Sequence, residues 1–166
     1  MPIAAHINEK LGLRVHDIFG AIAPSEFADI ANFYCANPHW NRADLLSLVR
    51  DDIDLSNFSP EHLAGLRALY RELHEHGDFI LLRRSAWVCS HVSGWRLLEE
   101  FLKDRHALDG QGTEVCLVAT LPEASCIFDQ NEIEAVTSWR DFRELVCVGA
   151  GPNEPTMTAR AREARG

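Results

Sequence analysis

Three aspartates, Asp51, Asp52 and Asp54, follow the apolar run in "LLSLVRDDIDLSNFSPEHLAGL", residues 45–66. Clustered carboxylates of this kind are what a hard cation such as Mg²⁺ selects. No phosphate-cradling glycine loop accompanies them, and their spacing is not that of an EF-hand. An acidic loop also keeps the end of a buried strand soluble. That simpler role is the expected one, with no metal and no cofactor.

A second stretch, "WVCSHVSGW" at residues 87–95, sets Cys89, Ser90 and Ser93 beside His91. A hydrolase elbow needs G-x-S-x-G, and neither serine has a glycine two residues before it. Cys89 lies in an apolar run and reads as a small buried hydrophobe rather than a thiolate. Helix capping is the expected use of Ser90 or Ser93, and an enzyme built on Ser90 and His91 is the rival. In "LHEHG", His74 and His76 stand two apart near a helix end, where side chains diverge and do not chelate. Of the tryptophans, Trp87 and Trp95 suit a core and Trp40 suits the surface.

In open α/β sheets, ligands bind beyond the carboxyl ends of parallel strands, where helix N-termini offer free N–H groups. That rule selects Asp51 and Asp52 after one strand, Ser90 and His91 after the next, and Thr120 after another. Ser59, followed by Pro60 and Glu61, has the chemistry of a helix N-cap.

The elements that would carry these residues alternate. "LGLRVHDIFGAIAP" reads as a first strand with a bend at Gly20. Pro24 and Ser25 open a helix in which Phe27, Ile30, Ala31 and Tyr34 recur at helical spacing, and Asn37-Pro38 stops it. "DLLSLVRDD" suits a strand covered on both faces. After Ser59, a stripe of Leu63, Leu66, Leu69, Tyr70 and Leu73 runs to Gly77. "SAWVC" gives another strand, and Trp95, Leu98, Phe101 and Leu102 a helix closing near His106. After the loop "LDGQG" come the strand "TEVCLVA", a short helix from Thr120 to Phe128, and a helix around Glu132 to Leu145. The expected class is α/β, with a mixed or mostly parallel sheet of about four to five strands and helices packed on it.

The chain has 166 residues, 46% of them hydrophobic and 25% charged, which suits one soluble domain. No apolar run approaches the roughly 18 residues that span a bilayer, and the N-terminus shows no secretory signal. Five scattered cysteines form no C-x-x-C pair, so zinc chemistry gains no support and reduced, cytoplasmic thiols are expected. Net charge is −9; the stretch from Gly149 holds three arginines and two glutamates, which leaves about −10 on the body. Such a body repels nucleic-acid backbones and anionic lipid surfaces. The domain is expected over 1–148, with a flexible tail over 149–166.

A strand ending in "GAIAPSEF" enters a helix, and "ANPHWNRADLLSLVRDD" leads to "LSNFSPEHLAGL". "SAWVCSHVSGWRLLEEFL" is then followed by "TEVCLVATLPEASCIF". From Leu11 to Phe128 this order resembles the STAS domain family in its stand-alone bacterial form, similar to anti-sigma-factor antagonists and SEC14-like proteins. Regulatory members carry Asp-Ser-Ser-Gly at a helix start, where a kinase phosphorylates a serine. The matching start here is "NFSPEH": Ser59 holds the serine position, Phe58 replaces the aspartate, and the second serine and glycine are missing. The resemblance implies a non-enzymatic module that binds a protein partner or itself. It implies as an alternative a small-molecule or lipid binder near Trp87, Trp95 and Phe101. A homodimer is expected to use "NEIEAVTSWRDFRELV", where Val136, Trp139 and Phe142 either cover the core or face a second subunit.

Overall fold

In the computed structural model, residues 3–75, 83–103 and 114–149 are described. The first element is β1 (Ile3–Asn8), turned by Gly12 at φ +60° into β2 (Leu13–Ile18) as an antiparallel hairpin. Helix α1 (Pro24–Ala36) follows, and the Glu26 carboxylate accepts from Ala23 N at 2.6 Å to satisfy its first turn. A 3-10 turn (Pro38–Arg42) then leads to β3 (Asp44–Val49), buried along its whole length as its continuous apolar character demands. Helix α2 (Pro60–Glu75), β4 (Arg84–Cys89), α3 (Val92–Leu102) and β5 (Glu114–Val118) continue the alternation. A second 3-10 segment (Leu121–Cys126), α4 (Gln130–Ser138) and β6 (Arg143–Val148) complete it.

The sheet has six strands in the order β5-β4-β3-β2-β1-β6. β2 to β5 are parallel neighbours, while β1 pairs antiparallel with both β2 and β6. The "LLSLV" and "SAWVC" segments pair directly, with Leu46 beside Ala86 and Leu48 beside Val88. Three crossovers step in one direction across the sheet, and right-handedness puts all three helices on one face. Ile30 and Tyr34 of α1, Leu63 and Leu66 of α2, and Leu98 and Phe101 of α3 share a core there with Trp87 and Cys89. The return from β5 to β6 runs the other way, so handedness sends it over the opposite face. There Ala124, Phe128, Ile133 and Val136 pack on Leu13, Val15, Leu46, Leu48, Ala86 and Val88.

The sheet exceeds the expected strand count through β1 and β6. The helix expected over 132–145 ends at Ser138, because Trp139 at φ 54° and Asp141 at φ 63° turn the backbone left-handed. Residues 143–148 are the edge strand β6. Val136 is buried, and Trp139 and Phe142 pack on the same core, so this aromatic set covers the sheet. The segment expected as a short helix after Thr120 is a 3-10 turn. Trp87 is buried as expected, Trp95 is half-buried, and Trp40 is half-buried beneath the Arg143 guanidinium rather than exposed. His76, Gly77, His106, the "LDGQG" loop and nearly all of the tail fall outside the described residues. No described helix is long and apolar enough to cross a membrane.

Candidate functional site

The carboxyl ends of β3 and β4 are neighbours, and this places Asp51 against Ser90. The Ser90 hydroxyl donates to Asp51 Oδ1. The acidic loop is anchored from below: Asp54 N donates to Gly20 O at 2.8 Å and Ile22 N to Asp54 O at 3.1 Å. Asp54 also folds on itself, its Oδ1 accepting from Ser56 N at 2.9 Å, which holds its pKa below the usual carboxylate value. Arg50 forks onto Asp17, and the Asp52 charge supports that cation from the exposed turn. The three aspartates therefore do separate jobs. Among the described residues, no group of three or more His, Cys, Asp or Glu side chains could hold a metal ion.

His91 caps α3. Its Nδ1 accepts from Gly94 N at 3.4 Å and lies 2.8 Å from Ser93 Oγ. Accepting from a backbone N–H requires a bare Nδ1, so the neutral ring carries its proton on Nε2. A serine hydrolase relay needs the imidazole between serine and carboxylate. Here the Ser90 proton goes straight to Asp51, while His91 faces Ser93 instead. Cys89 is fully buried with its Sγ 3.5 Å from His91 O, and burial pushes its thiol pKa up. Gly94 is there because an added Cβ would stand 2.9 Å from that sulfur.

Ser59 caps α2. Its Oγ accepts from His62 N at 3.3 Å, and His62 Nδ1 accepts in return from Ser59 N at 3.3 Å. This is a reciprocal box with histidine in the position glutamate usually holds. The Ser59 hydroxyl also lowers the pKa of the Glu61 carboxyl. Thr120 is exposed after β5, and its side chain makes no capping bond. The fold thus joins Asp51, Ser90 and His91 along adjoining strand ends, with Ser59 at the start of α2 and Thr120 beyond β5.

No family model, curated protein or solved structure matches the chain.

Two polar clusters inside the molecule were not expected from sequence. Under α1, Arg14 is 2% exposed, its guanidinium 4.3 Å above the Tyr34 ring and 3.3 Å from Asn41 Oδ1. Among the described residues no carboxylate makes an ion pair with it. His16 Nε2 shares a 2.7 Å hydrogen bond with the Tyr34 hydroxyl, and burial, aided by the Arg14 charge, pulls the imidazole pKa down to about 3. Arg14 Nε and Ser47 Oγ are both buried and, among the described residues, without a hydrogen-bond partner. On the opposite face, Arg84 holds Asp44 and Glu132, each at 2.7 Å, and donates to Ile127 O at 3.0 Å. These contacts fasten β3, β4 and α4 together. The polar alternation of Arg14 and His16 on β2 and the charged first residue of β4, Arg84, were the available signal, yet only the tertiary fold shows their partners.

Proposed function

We propose that the chain is a non-enzymatic, STAS-like module that binds a protein partner at the carboxyl-end rim of its sheet. One observation carries this: at the rim the polar groups are spent on caps and turns, while an apolar residue stands free among them. Val92 is 71% exposed and, among the described residues, is the large apolar side chain left exposed. Half-buried Leu55 lies against the same first turn of α3, its methyl 3.7 Å from where a Gly94 Cβ would be. Exposed Asp51, Asp52 and Asp54 lie on the loop that follows the neighbouring strand β3, and Asp51 contacts Ser90 just before α3. An exposed apolar residue beside an acidic loop suits a basic partner segment carrying a large apolar residue.

A synthetic peptide alternating lysine and leucine is a direct probe. Amide shifts on titration are expected to concentrate in 51–62 and 90–94 and to fade as salt rises. Val92→Asp is expected to weaken binding at least tenfold. Binding that ignores Val92→Asp, or no binding at low salt, removes the rim as the docking face.

The buried cluster favours a second reading, a small organic acid held inside. Arg14 Nε and Ser47 Oγ offer unused hydrogen-bonding atoms. Ser47 lies level with Trp87, whose ring meets Phe101 edge-on at 6.0 Å. An acidic head at Arg14 with an apolar body toward Trp87 would use both. Native mass spectrometry is then expected to show a co-purifying mass that disappears in Arg14→Met. A clean mass, together with no melting shift on adding short-chain carboxylates, excludes that ligand class.

A further inference from the structure

Ten positions apart in sequence, Cys116 of β5 and Cys126 of the following 3-10 segment bring their sulfurs to 3.4 Å. Both are free thiols, Cys116 half-buried beneath and Cys126 exposed. The contact is braced on each side. Ala124, fully buried, seats the 3-10 segment on the sheet, and Arg84 holds the Ile127 carbonyl just past Cys126 at 3.0 Å. A disulfide needs a sulfur–sulfur distance of about 2.05 Å, so bonding asks each sulfur to move well under 1 Å.

We propose that Cys116 and Cys126 form a thiol–disulfide exchange site that takes low-molecular-weight disulfides. Cys126, the exposed thiol, attacks as thiolate on one sulfur of the small disulfide. The Cys126–S bond forms, the small disulfide's S–S bond breaks, and one small thiolate leaves and takes up a proton. Cys116, deprotonated in its turn, attacks Cys126 Sγ, closing the protein disulfide and releasing the second small thiol. The two protein thiols lose two electrons and two protons; the small disulfide gains them. Burial above all pushes the Cys116 thiol up, to about 12 while Cys126 is a free thiol, and burial persists once Cys126 is in the mixed disulfide. The second step is therefore the slow one at neutral pH, and it accelerates as pH rises.

The test treats the reduced full chain with oxidised glutathione, followed by non-reducing peptide mass mapping. Wild type is expected to lose two hydrogens and to yield one linked peptide pair, Cys116 with Cys126. Closing this short loop is expected to raise the melting temperature by roughly 5–10 °C. The closing rate is expected to rise nearly tenfold for each pH unit between about 7 and 9. Cys116→Ser is expected to stop at a single glutathione on Cys126, and Cys126→Ser to form no link at Cys116. A glutathione adduct that persists on wild-type Cys126 at about pH 9, where closure is fastest, or links among the other cysteines in place of this one, overturns the proposal. So does a Cys126 that fails to react.

Discussion

Ser59 and His16 show what one side chain settles by itself. Ser59 is a local device: its hydroxyl accepts from His62 N three residues on, so its capping role was legible from "SPEH" alone. Ser59→Ala is expected to lower stability by about 1 kcal/mol in chemical melts and to leave binding of the lysine–leucine peptide unchanged. Ser59→Asp is expected to keep the cap, and peptide binding that switches with it would reveal a regulatory serine instead. His16 is the opposite case, since its partner Tyr34 comes from another element and no sequence pattern announces the pair. Its imidazole stays neutral in the fold down to about pH 3, whereas in the unfolded chain it takes a proton near pH 6.5. The unfolded state thus binds the extra proton across that window. Stability present above about pH 6.5 is lost as pH falls toward 3, by up to about 1.4 kcal/mol per unit. His16→Gln, which keeps a polar group near Tyr34, is expected to flatten the acid limb by that slope. An unchanged limb in urea melts from pH 7 to 4 would show that His16 is not buried neutral.

Among the elements, the β4–α3 connection leaves no room for a side chain at Gly94. Adding a methyl at Gly94 sets carbon 2.9 Å from Cys89 Sγ, inside a strand end that cannot retreat. Gly94→Ala is expected to cost roughly 1–3 kcal/mol, and Cys89→Ala in the same chain to restore much of it. Additive losses in the double-mutant cycle would show that the strain lies elsewhere. The buried strands β3 and β4 were legible because five consecutive positions on each, 45–49 and 85–89, are apolar or small enough to sit between two layers. The flanking strands were not. In β1 the buried positions include Ala4, Ala5 and Asn8, residues with weak strand preference that gain a place only through neighbours on both sides. Ahead of β6 the spacing of Val136, Trp139 and Phe142 imitated a longer helix, and the stop came from Trp139 and Asp141, neither the glycine that usually marks one. Asp51 and Ser90 could be placed at strand ends from sequence, but their direct contact needed the β3–β4 pairing.

For the molecule as a whole, the balance of −9 governs which partners it meets. Two copies approaching rim to rim would set Asp51, Asp52 and Asp54 against their own images, and the aromatic set at Trp139 is already turned to the core. Sedimentation velocity at tens of micromolar, roughly assay concentration, is expected to show a monomer at low and physiological salt. A dimer that persists when Val92 becomes Asp would mean that a different face joins the copies. The place of β1, one strand in from the β6 edge of the sheet, bears on the timing of folding. Its two flanks are filled from opposite ends of the chain: Ile3 lies beside Ile18 on one side and Val148 on the other. On the ribosome the hairpin of β1 and β2 emerges early, but the outer flank of β1 stays open until the last described strand arrives. Through most of synthesis that edge shows unpaired N–H and C=O groups, open to pairing with another nascent chain. A delayed or missing β6 would therefore endanger solubility first at residues 3–8.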